Sequence, residues 1–137
     1  MLFSYVIHSR CDTKCQFLGI ALLDAAGEVK GIAGACPTLH NSKLIKIAPV
    51  FASNQEDASY LIKCITNMYH EPDNKFVLHV STETAGDWIL KKCRDAKIPL
   101  AFVGTAANAT YNGIMYKDPC NTERMFLPMN CPIYFDR

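Results

Sequence analysis

At 137 residues, half hydrophobic and a fifth charged, the chain has the length and make-up of one globular domain with a modest core. A formal net charge of +1 gives no electrostatic case for a nucleic-acid or membrane partner, and no apolar run approaches the length of a transmembrane span. The opening MLFSYVIHSRC lacks the flanks of a signal peptide, and seven cysteines, an odd number set mostly in apolar patterns, fit a reducing cytoplasmic compartment better than a disulfide framework.

Leu2, Tyr5, Val6 and Ser9 recur at helical spacing and predict a short opening helix. QFLGIALLDAAGEVKGIAGACP, residues 16–37, reads as two apolar runs around a polar turn at Ala25, Ala26, Gly27 and Glu28, a hairpin signature. KLIKIAPVF is a strand that Pro49, with no N–H to donate, is expected to end. From Asn54 the period changes: Ala58, Leu61, Ile62, Ile65, Met68 and Tyr69 form one helical stripe, opened by a capping box between Ser53 and Glu56. EPDN breaks that helix, and KFVLHV reads as a fully buried strand. A second helix is predicted from about Thr84, with Ala85, Trp88, Ile89, Cys93 and Ala96 inward and Lys91, Lys92 and Arg94 towards solvent. IPLAFVGTA, NGIMYK and CPIYFD are strand-like. Strands joined by a short turn must be antiparallel and strands joined through a helix parallel, which predicts a mixed α+β sheet flanked by helices.

The stretch KIAPVFASNQEDASYLIKCI raises the chemical question. Strand, tight turn and helix N-terminus together make an anion site in many folds, because unpaired amides and the helix dipole favour negative charge. Here the turn has no glycine, and Glu56 and Asp57 put carboxylates into the first helical turn. Such carboxylates stabilise a helix by about 0.3–1 kcal/mol each while repelling an anionic ligand. No zinc site is expected, because Cys11, Cys15, Cys120, Cys131 and His8 do not fall at structural-zinc spacing. Nor do His40, His70, His79 or the serines form a nucleophile pattern, and His79 amid apolar neighbours reads as a sheet residue.

The order of elements resembles the GNAT acetyltransferase superfamily, and more closely the C-terminal GNAT-like domain of the YitH/HolE family. GEVKGIAGACP, the turn segment above, FVLHVSTETAGDWILKKCRDAKI, NGIMYKDP and the aromatic tail ERMFLPMNCPIYFDR carry the likeness from about Phe17 onwards. It implies a GNAT-like, largely antiparallel mixed sheet in the order α-β-β-β-α-β-α-β-β(-β), over a single domain 1–137 that lacks the first strand and helix of the full fold. The chain is then a shortened domain or the C-terminal portion of a longer protein.

The resemblance further implies acetyl-CoA as cofactor and acyl transfer to an amine as activity. The family's diphosphate turn maps onto Ser53, Asn54, Gln55, Glu56, Asp57 and Ala58, and its pantetheine-pairing strand onto Ile45 and Ile47. Its Arg/Gln position falls near Ala52 and its glycine positions near Gln55 and Asp57, so the expected residue types are replaced. Further on, its asparagine and alanine become Thr84 and Asp87, its tyrosine acid becomes Lys91, and its Gly-Phe becomes Asp95 and Ala96; Leu90 is retained. No catalytic residue is assigned, and little intrinsic activity is expected. The partner it implies is a second copy, bound through the vacant sheet edge or the terminal strand, or an accompanying GNAT domain; the competing class is a non-catalytic interaction domain. Tyr111, Tyr116, Phe126, Tyr134 and Phe135, with Met115, Met125 and Met129, suit either core packing or such an interface.

Overall fold

A computed structural model describes residues 3–10, 16–38, 40–80, 85–100 and 122–127. Their order is β1 (Phe3–Arg10), β2 (Gln16–Leu23), β3 (Val29–Thr38), β4 (Asn41–Ala52), α1 (Gln55–Met68), β5 (Lys75–Leu78), α2 (Asp87–Asp95), a 3-10 turn (Thr122–Arg124) and β6 (Met125–Leu127). The class is α+β. Strands β1 to β4 pair antiparallel in sequence order, β5 lies parallel to β4 on its far edge, and β6 pairs antiparallel with β4 beyond β5.

The β2–β3 hairpin is set by Asp24. Its carboxylate accepts the amides of Ala26 at 2.9 Å and Glu28 at 3.0 Å, and Gly27 takes φ +85°, a conformation open to glycine without strain. The Glu28 amide, with the Lys30 ammonium 3.2 Å from the same group, holds the Asp24 carboxyl below its ordinary 3.8 against a smaller opposing effect of burial.

One face of the sheet buries Leu18, Ile20 and Leu22 of β2, Ala33 and Ala35 of β3, and Ile45 and Ile47 of β4. Against it α1 packs Ala58, Leu61 and Ile65, and α2 adds Ile89. The helix comes close because β3 is lined by small residues: a Cβ on Gly31 would stand 2.8 Å from Leu61 Cδ1 and 2.8 Å from the Phe51 carbonyl oxygen. Elsewhere on β3 the apolar surface is left in the open, with Val29 62% and Ile32 42% exposed. Ile32 stands between Ala21 and Phe51 in register.

Several expectations are corrected. The predicted opening helix is a strand: β1 pairs with β2 over its whole length, from Phe3 opposite Leu23 to Arg10 opposite Gln16. The sheet therefore has a strand ahead of the hairpin, and β2 does not present the vacant edge expected of a domain lacking its first strand. Strand β4 does not stop at Pro49. Its register with β3 passes from Val50 opposite Ala33 to Ile47 opposite Ala35, so Ala48 and Pro49 together face Gly34 in a bulge, where a missing N–H interrupts no ladder.

The helix cap is Asn54, one residue beyond Ser53, whose own amide is taken by the Lys30 carbonyl at 2.8 Å. Strand β5 is less covered than its composition suggests, with Phe76 37% exposed. Met125, Phe126 and Leu127 form a strand that the sequence pattern does not single out, Phe126 and Leu127 being 1% and 0% exposed. Of the three terminal strand-like segments, residues 98–100 are irregular and the remainder lies outside the described residues.

The rest follows the sequence. α1 buries the predicted stripe, though Met68 at its end is 44% exposed. β4 and β5 are parallel across that helix. α2 turns Ile89, Trp88 and Cys93 inward and leaves Lys91, Lys92 and Arg94 exposed, but it starts at Asp87, and Ala96, expected on the inward stripe, is its exposed C-cap.

Candidate functional site

The turn between β4 and α1 is the place where the sequence concentrates its chemistry. Ser53 is half-buried, while Asn54, Gln55 and Glu56 are exposed. Asp57 is half-buried, and Ala58 is fully buried in the core. The Asn54 side-chain oxygen accepts the Asp57 amide at 2.9 Å, and its Nδ2 donates to the Asp57 carboxylate at 2.9 Å. The Ala58 amide donates to the Asn54 carbonyl at 3.1 Å. The first helical turn also carries the Glu56 carboxylate next to that of Asp57 in the chain. The turn thus supplies its own anion at its own N-terminus.

Magnitudes decide what that means for a phosphate. The helix end favours an anion by about 0.3–1 kcal/mol. Two unit charges at about 4 Å repel by about 1 kcal/mol even in water, and more beside a protein surface. A diphosphate meeting two carboxylates has several such pairs, so repulsion exceeds the dipole's attraction.

Ile45 and Ile47 stand apart from this turn, in the middle of β4. Their side chains are 1% and 0% exposed, and their positions are flanked on one side by Pro37 and Ala35 of β3 and on the other by Phe76 and Leu78 of β5. Both flanks of β4 there carry a strand. Residues 53–58 are therefore gathered in one turn, and Ile45 and Ile47 lie inside the sheet.

Beside the turn lies a shallow groove of about 200 Å³, lined by Val29, Lys30, Ile32, Phe51, Ser53 and Arg124 among others. Lys30 and Arg124 both line it, a convergence that no local pattern announces, since they come from segments far apart in the chain. A larger, open hollow of about 500 Å³ lies among Asn41, Lys43, Pro72, Asp73, Asn74 and Lys75. At its edge Lys43 pairs with Glu71, which raises the lysine and lowers the carboxyl from their ordinary values. Its charges alternate, and no group of them converges on one point.

His79 directly follows β5 and is held below its ordinary 6.5, first by burial and then by the Lys46 ammonium. His40 and His70 are exposed, and Lys91 is exposed on α2. Among the described residues no group of three or more His, Cys, Asp or Glu side chains is placed to hold a metal. Likewise no described helix is long and apolar enough to cross a membrane. Cys36, Cys64 and Cys93 are half-buried thiols. Thr84, Cys11, Cys15, Cys120, Cys131, Tyr111, Tyr116, Tyr134, Phe135, Met115 and Met129 lie outside the described residues.

No family model matches the chain, and no match to it was found among curated proteins or among solved structures.

Proposed function

We propose that this is a GNAT-like domain, akin to the C-terminal part of YitH/HolE proteins, in which acetyl-CoA-dependent N-acetyl transfer has been reduced to little or nothing. The observation that carries the reading is the reciprocal bonding of Asn54 and Asp57 at the N-terminus of α1, 2.9 Å each way. It caps the helix with the Asn54 side chain and fixes a carboxylate at the helix end that a cofactor diphosphate would have to approach. The order β4, turn, α1, parallel β5 supports the superfamily likeness, and the cysteine content supports a cytoplasmic setting.

Charge, rather than shape alone, is the obstacle. Replacing Glu56→Gln together with Asp57→Asn keeps side-chain size and removes both negative charges. The pair should strengthen CoA binding at least tenfold, and the gain should shrink between 50 and 500 mM salt as ionic contacts are screened. An unchanged affinity contradicts the reading.

A second reading, a non-catalytic association domain, is favoured by the exposed Val29 and Ile32 beside Phe51. Apolar residues grouped on an open sheet face suit a protein partner, here a second copy or an accompanying GNAT domain. Sedimentation at micromolar concentration should then give the mass of two copies, and Ile32→Lys the mass of one. A single-copy mass for the unaltered chain dismisses self-association.

A further inference from the structure

Ligands of open sheets with parallel strands bind in the crevice at the carboxyl ends of those strands. Here the parallel pair is β4 and β5, and the two strands end unevenly. β5 stops at Leu78, opposite Ile47, while β4 runs on to Ala52. From Ala48 onward the edge of β4 is therefore left by its parallel neighbour, beside the turn that opens α1. An edge of this kind is a template for an extended, amide-bearing molecule, which adds to the sheet as a further strand.

That edge is taken by the chain itself. β6 lies antiparallel on it, with Leu127 opposite Val50 and Met125 opposite Phe51, and with an irregularity between the two pairs. A ladder this short contributes few hydrogen bonds, so the side chains must hold it in place. Phe126 and Leu127 are 1% and 0% exposed in the core shared with α1 and α2. The Phe126 ring meets Trp88 of α2 edge-on, with centroids 5.9 Å apart at 79°, and the Lys92 ammonium lies 5.2 Å from the Trp88 ring centroid. Both are geometries that favour attraction.

We infer that β6 is a built-in occupant of the β4 crevice, an autoinhibitory strand that stands where an extended diamide ligand would otherwise pair with the sheet. The inference rests on the GNAT-like reading for the class of ligand, but it concerns a different part of the site from the turn. Pantetheine, which has the extended diamide arm and no diphosphate, separates the two.

Hydrogen exchange on the full chain tests it, read as the ratio of exchange rates at residues 50–52 to those at residues 45–47, so that global destabilisation cancels. Phe126→Ala should raise that ratio at least tenfold, and 10 mM pantetheine should restore it in the variant while leaving the unaltered protein unchanged. Met125→Pro, which spares both buried anchors, should act in the same direction if the alanine variant does not fold. An unchanged ratio in a folded variant, no restoration by pantetheine, or protection of the unaltered protein by pantetheine overturns the inference. Binding of CoA without binding of pantetheine by the unaltered chain contradicts the proposed loss of the turn and supports the closed crevice.

Discussion

Leu61→Ala should lower the stability of the domain by about 2–5 kcal/mol, read as a fall in the urea midpoint at unchanged slope. Leu61 is fully buried and stands where α1 crosses β3, in the same core as Ile45, Ile47, Ile65 and Phe126. Two features place the cost in the upper part of that range. The backbone beneath it is already close, so β3 cannot move in to fill the space. The neighbouring Ala33, Ala35 and Ala58 are too short to do so either. Against a total stability of about 5–15 kcal/mol for a domain of this kind, one such substitution removes a large share.

Gly31→Ala is the complementary change and should cost about 1–3 kcal/mol by overpacking. The added Cβ would lie 2.8 Å from Leu61 Cδ1, 2.8 Å from the Phe51 carbonyl oxygen and 3.2 Å from the Ala52 Cα. Leu61 has a flexible side-chain end that can turn away. The Phe51 oxygen and the Ala52 Cα belong to the backbone of β4 and cannot. A double substitution of Gly31→Ala and Leu61→Ala should therefore be less destabilised than the sum of the two, yet retain part of the glycine penalty. Full additivity in urea titrations of the four proteins contradicts this packing.

The parts of the fold legible in the sequence are those written by neighbours in the chain. The Asp24 turn, the stripe of α1 and the amphipathic α2 each depend on residues within a few positions of one another, and all three are present. The missed features depend on remote partners. Residues 3–10 carry helical spacing at Tyr5, Val6 and Ser9, but also the aromatic and β-branched content that favours a strand once β2 is there to pair with it. Pro49 reads as a stop until a bulge opposite Gly34 makes room for it.

The site divides in the same way. The turn at 53–58, with its missing glycines and added carboxylates, was visible from the sequence, although the cap moved from Ser53 to Asn54 because the Ser53 amide pairs with Lys30. The closure of the β4 edge by β6 was not visible. ERMFLPMN has the composition of a loop, and only the contact of Phe126 with Trp88 and the pairing with Val50 and Phe51 give Met125–Leu127 within it a strand's role.

The first turn of α1 should refuse a nucleotide diphosphate because it already carries the Glu56 and Asp57 carboxylates. Isothermal titration of the unaltered chain with CoA at low salt tests it most directly. The expected result is no saturable heat up to millimolar ligand. A dissociation constant in the micromolar range, weakening as salt rises, contradicts it.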